Sequence, residues 1–100
     1  MATSNIFSEI GFSNEDAAKL EMKFYLMESI RKFIKREGLT QAKAAEFFGT
    51  TQPKISLLVK GDPEGFTIDR MVKMVARTGG RFTYSFRQPR KGAVERMAAA

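Results

Sequence analysis

The chain is 100 residues long, 43% hydrophobic and 28% charged, with no cysteine, no histidine and a formal net charge of +6. That length holds one domain of ordinary globular composition. The missing side chains exclude disulfides, thiol nucleophiles and imidazole acid–base or metal chemistry. The positive balance favours an anionic partner. No stretch approaches the roughly 20 apolar residues of a membrane span. Residues 1–10, MATSNIFSEI, lack the basic start and apolar run of a secretory signal, so a cytoplasmic location is expected.

In chain order, residues 6–12 come first, with Ile6, Phe7, Ile10 and Phe12 in a segment that suits either a turn of helix or an extended arm. Ser13 followed by Glu15 and Asp16 is a helix start: a capping hydroxyl, then acidic residues at the positive end of the helix dipole. The spacing predicts a helix over residues 14–36, ending at Gly38. Leu20, Phe24, Met27, Ile30 and Ile34 form its stripe at steps of three and four, widened by Met22, Leu26 and Phe33. So broad a face belongs to a buried core helix, or to one that also meets a protein partner.

Residues 39–61, LTQAKAAEFFGTTQPKISLLVKG, organise the rest. Thr40 can cap one short helix, on which Ala44, Ala45 and Phe48 share a side; Ala45 is small where a second helix must approach closely. Gly49 stands at the reversal, where a positive φ disfavours any side chain. Thr50 or Thr51 caps the second helix. Pro53 falls in its first turn, Ile55, Leu58 and Val59 face inward, and Gly61 ends it. This is a helix-turn-helix. Two readings suit it: a helical hairpin with solvated charges, and DNA recognition by the second helix. The outward residues favour the second. Gln52 and Lys54 lie near the N-terminus of the second helix, where base edges are met; Gln pairs with adenine, Lys reaches guanine or phosphate, and Thr51 and Pro53 offer surface to a thymine methyl. Gln41 is placed to hold a phosphate, and Lys43 and Lys60 add sequence-independent attraction.

A loop follows at residues 61–65, and Thr67 caps a helix over residues 68–78 with Ile68, Met71, Val72 and Val75 inward. Residues 81–87, RFTYSFR, alternate strictly, with Phe82, Tyr84 and Phe86 on one side. This period of two predicts a half-buried strand. A lone strand needs a partner. The N-terminal segment, another protein's sheet edge and the same strand of a second copy are the candidates. The second copy is the simplest, making Phe82, Tyr84 and Phe86 a homodimer interface. Residues 88–100 read as a basic flexible tail, or as an arm touching phosphates.

Charge sharpens this division. Residues 1–37 balance six basic against six acidic side chains, residues 38–61 carry +2, and residues 62–100 carry +4.

The run L-T-Q-x-x-x-A-x-x-x-G-x-T-Q-x-x-I-x-x-L-x-x-G resembles the helix-turn-helix of the Cro and lambda-repressor type, the Xre family. Leu39, Gln41, Ala45, Gly49, Gln52, Ile55, Leu58 and Gly61 fall on its positions. The resemblance implies that Gln41 clamps a phosphate and braces the recognition helix, and that Gln52 reads a base. Leu57 departs from the family, which often has a polar or small base-reading residue there; it either touches a thymine methyl or reads no base. Over residues 5–87 the chain resembles the HigA-like antitoxin branch, on the segments IFSEIGF at residues 6–12, REGLTQ at residues 36–41 and the glycine-to-arginine stretch of residues 80–87. The resemblance implies a type II antitoxin that binds a RelE/HigB-type ribosome-dependent mRNA endoribonuclease and represses its own operon as a dimer on a palindromic operator. A stand-alone Xre-type regulator and a pure protein-interaction module are the alternatives.

The expected fold is thus all-α: a lambda-repressor-like bundle with a helix-turn-helix over residues 1–87, plus one C-terminal strand. With no clustered carboxylates and no phosphate-cradling glycine loop, the sequence nominates no catalytic residue, cofactor or metal.

Overall fold

A computed structural model describes residues 5–98. Residues 1–4, part of the segment read for a secretory signal, and residues 99–100, the end of the basic tail, lie outside the described residues. Six helices follow in order: α1 (Ile6–Glu9), α2 (Asn14–Arg36), α3 (Gln41–Phe48), α4 (Gln52–Lys60), α5 (Ile68–Arg77) and α6 (Ala93–Ala98), with a 3-10 turn at Pro63–Gly65 between α4 and α5.

The longest helix, α2, is the platform. Ser13 caps it by accepting from the Asp16 N–H, and α5 packs along it. Its buried side chains are Ala17, Leu26, Met27, Ile30 and Ile34. Met22, expected to widen that stripe, is instead 49% exposed. Short α1 is fixed to α2 by stacking of Phe7 on Phe24, with ring centroids 5.6 Å apart, and by a hydrogen bond from Asn5 Nδ2 to the Ala17 carbonyl.

The core is continuous from α2 through the helix-turn-helix to α5. Phe48, Leu26, Ile30, Ile55, Leu58, Met71 and Met74 are its largest fully buried side chains, and among the described residues no polar or charged residue is buried with them. Apolar contact therefore holds the motif in place. Phe33, Phe47 and Phe48 form a triangle of rings with centroids 4.9–6.0 Å apart, pinning α3 to α2. On α5 the inward set differs from the one expected. Met71 and Met74 are buried, whereas Val72 is 41% exposed. Helical steps of three and four from Met71 reach Met74 and Val75, so Val72 falls outside the inward arc.

The C-terminal strand is absent: among the described residues there is no β-strand, and residues 80–90 are irregular. Alternation supplies one condition for a strand, and a hydrogen-bonding neighbour is the other. Among the described residues no segment provides that neighbour. Phe82 is half-buried and packs against the core, and there the burial stops, with Tyr84 90% and Phe86 78% exposed. The fold is all-α, a helical bundle alone. Residues 93–98, read as flexible tail, are helical: Arg96 returns to the carbonyls of Arg90 and Lys91, each at 2.8 Å, and Asn14 Nδ2 donates to Met97 Sδ at 3.7 Å.

Candidate nucleic-acid interface

The two helices of the motif are delimited as their sequence requires. Thr40 accepts from the Lys43 N–H and Thr51 from the Lys54 N–H, each satisfying a donor that the first helical turn leaves unpaired. Gly49 adopts φ +67°, letting the Thr50 N–H reach the Ala45 carbonyl at 2.9 Å and close α3. Gly61, at φ +85°, ends α4 in the same way through Asp62 N–H to the Leu57 carbonyl. A rigid helix of nine residues stands between these glycines, its inner side locked by fully buried Ile55 and Leu58.

What remains outward on α4 divides into two flanks. At 3.6 residues per turn, Gln52 and Lys54 lie roughly 200° apart around the axis. Exposed Gln52, Pro53 and Lys60 share one flank with half-buried Ser56. Lys54 belongs to the other, where its ammonium lies 6.0 Å from the centroid of the Phe66 ring. Gln52 and Lys54, both near the N-terminus of α4, therefore face different directions. Gln52 stands exposed at the first position of α4. Lys54 lies beside an open depression of about 370 Å³ lined by Thr50, Thr51, Thr67, Phe66 and Arg70. Three hydroxyls and the Lys54 ammonium around such a depression suit a phosphate oxygen better than a base.

Leu57 is half-buried, and a β-carbon built on Gly65 would sit 3.5 Å from its Cδ1. Its side chain packs against the 3-10 turn, which accounts for an apolar residue on the outer side of this helix. At the start of α3, Gln41 is half-buried and Lys43 exposed. Of the aromatic residues expected at an interface between copies, Phe82 is drawn into this chain's own core, leaving Tyr84 and Phe86 outward.

Two anchors that sequence reading did not single out hold the loop and turn around α4. Arg70 Nη2 donates to the carbonyls of Phe48 at 3.2 Å and Gly49 at 2.8 Å, tying α5 to the turn of the motif. Lys23 Nζ donates to the Pro63 carbonyl at 3.0 Å, tying α2 to the loop after α4. Both are long-range contacts between a surface cation and a backbone carbonyl, for which periodicity carries no signal.

Residues 6–85 match the model of a helix-turn-helix domain family. The chain belongs to that family. A helix-turn-helix places its second helix in the major groove of DNA, and α4 is the second helix of the motif here, with Gln52 exposed in the first turn; the family match supports a DNA-binding protein. No curated protein and no solved structure matches the chain. Among the described residues, no helix is long and apolar enough to cross a membrane.

Proposed function

We propose that this helix-turn-helix protein is a sequence-specific transcriptional repressor that binds a palindromic operator as a homodimer. We further propose that it is the antitoxin of a type II pair, neutralising a RelE/HigB-type mRNA endoribonuclease and repressing the operon that encodes both. The observation that carries the reading is the outer flank of α4: Gln52, Pro53 and Lys60 stand exposed on a helix whose inner side is immobilised in the core. A preorganised flank of this kind loses little conformational freedom when it enters a groove. Gln52 offers adenine a bidentate pair, while Lys43, Lys54 and Lys60 neutralise phosphates. The protein acts by binding, in the cytoplasm, and catalyses no reaction.

A dimer suits the operator because two-fold symmetry sets two recognition helices about one turn of DNA apart. Side-chain packing of Tyr84 and Phe86 supplies apolar contact between copies. The antitoxin role rests on the Xre and HigA-like text of residues 6–12 and 36–61. Co-expression with the product of the neighbouring gene, followed by gel shifts on their shared upstream DNA, tests both layers. A co-purifying complex that shifts a palindromic site supports the antitoxin. A shift without any co-purifying neighbour leaves a stand-alone regulator, and no shift at low salt removes DNA recognition altogether.

A further inference from the structure

The cationic charge of this chain is not concentrated where the recognition helix is. Between Asp69 and Glu95 the sequence holds seven basic residues and no acidic one, more than the whole net charge of +6. The motif itself, residues 38–61, contributes only +2. Helix α5 begins this basic run and gives it a direction. Arg70, Lys73 and Arg77 recur at steps of three and four, so they share one face. Met71 and Met74 bury an adjoining face, and Lys73 and Arg77 are left exposed.

That row lies against the turn of the helix-turn-helix. Arg70 bonds to the Gly49 carbonyl, and Arg77 Nη1 lies 4.0 Å from where a β-carbon on Gly49 would sit. Two guanidinium groups from one helix thus meet at the residue that precedes the start of α4 by three positions. Among the described residues neither guanidinium has a carboxylate within ion-pair distance. Among the described residues the ion pairs are Arg31 with Glu28 and Arg36 with Glu37, both at α2. A face kept only for solubility mixes its signs, as the outside of α2 does. Three cations, Arg70, Lys73 and Arg77, outnumber the one carboxylate of α5, Asp69, which stands one turn before Lys73. The face beside the turn is net cationic, and its self-repulsion falls when an anionic surface lies across it.

We propose that Lys73 and Arg77 form a second DNA-backbone contact, gripping phosphates beside the groove that α4 enters. The two positions are roughly 6 Å apart along the helix, spanning about two phosphates of one strand at 3.4 Å rise each. The contact is sequence-independent: it holds the protein on DNA of any sequence while Gln52 discriminates. Arg70 already serves the turn carbonyls, so Lys73 and Arg77 carry the charge available to phosphate. This inference rests on the DNA-binding reading of α4 and adds to its footprint.

The test compares the wild type, Lys73→Gln/Arg77→Gln and the charge-preserving Lys73→Arg/Arg77→Lys by fluorescence anisotropy. Two labelled duplexes are titrated between 50 and 200 mM salt, one carrying the upstream DNA and one its scrambled sequence. Neutralising both cations is expected to lower the slope of log K against log salt by about 2, at roughly 0.9 per phosphate released. Both duplexes should weaken by the same factor, leaving their affinity ratio unchanged, and the charge-preserving variant should keep the wild-type slope. Urea melts of all three should coincide, because both side chains are exposed. An unchanged slope in the neutralised variant overturns the proposal while leaving recognition by α4 intact. So does an unchanged slope accompanied by loss of self-association, which would make the row a contact between copies. Failure of the wild type to bind either duplex at 50 mM salt would instead remove the underlying reading and the proposal with it.

Discussion

Arg70 is the side chain through which α5 reaches the turn of the motif, and its removal has a calculable cost. Its guanidinium serves the carbonyls of Phe48 and Gly49, at the C-terminal end of α3, where the helix leaves acceptors unpaired. A hydrogen bond to a charged donor contributes about 1.5–3 kcal/mol. The Gly49 bond is exposed and water replaces part of it, so the lower end of that range applies. Arg70→Ala is therefore expected to destabilise the fold by about 1.5–2 kcal/mol. At an m-value on the order of 1.5 kcal/mol/M, the urea midpoint falls by about 1 M; the melting temperature falls by roughly 10 °C. Arg70→Lys keeps a donor near the carbonyls but loses the planar fork, and should recover about half of the loss. Far-UV circular dichroism in a urea series reads both. An Arg70→Ala midpoint within about 0.3 M of the wild type, at unchanged m, would show that water serves the turn as well as the guanidinium does.

Other substitutions probe the remaining supports. Gly49→Ala forces a β-carbon into φ +67° and should cost about 1 kcal/mol or more in the same urea assay, although no atom obstructs the new carbon closely. Phe48→Ala empties the centre of the ring triangle and should cost about 3–5 kcal/mol, enough to leave much of the chain unfolded by near-UV circular dichroism at 37 °C. Replacing Tyr84 and Phe86 together by Ala should leave the melting temperature unchanged, since both are exposed, while shifting the sedimentation coefficient of the proposed dimer toward monomer. A dimer that persists would place the contact between copies elsewhere.

Much of this fold is written in local chemistry. Thr40, Gly49, Thr51 and Gly61 each act within a few residues of themselves, through a cap or a left-handed turn, so the limits of α3 and α4 could be read without tertiary information. The same holds for α2, framed by Ser13 and its glycine stop. What resisted reading depends on partners distant in the chain. The alternation at residues 81–87 is a property of one segment, whereas a strand is a property of two, and only Phe82 finds something to pack on. Val72 and Met74 lie two residues and about 200° apart around α5, and which of them faces inward is set by where α2 lies. At the candidate site, the exposure of Gln52 was legible because it stands at the start of a capped helix, which is a local matter. Arg70 was not, since an arginine on an outer face looks solvated until the carbonyls of Phe48 and Gly49 are seen within its reach.

The central claim is that α4 reads DNA sequence through Gln52. Fluorescence anisotropy of the wild type and Gln52→Ala on the upstream duplex and its scrambled counterpart, at fixed salt, addresses it most directly. The account predicts a loss of about 1–3 kcal/mol on the upstream duplex, roughly 5- to 150-fold, with little change on the scrambled one. An equal loss on both duplexes would contradict it, reducing Gln52 to a backbone contact.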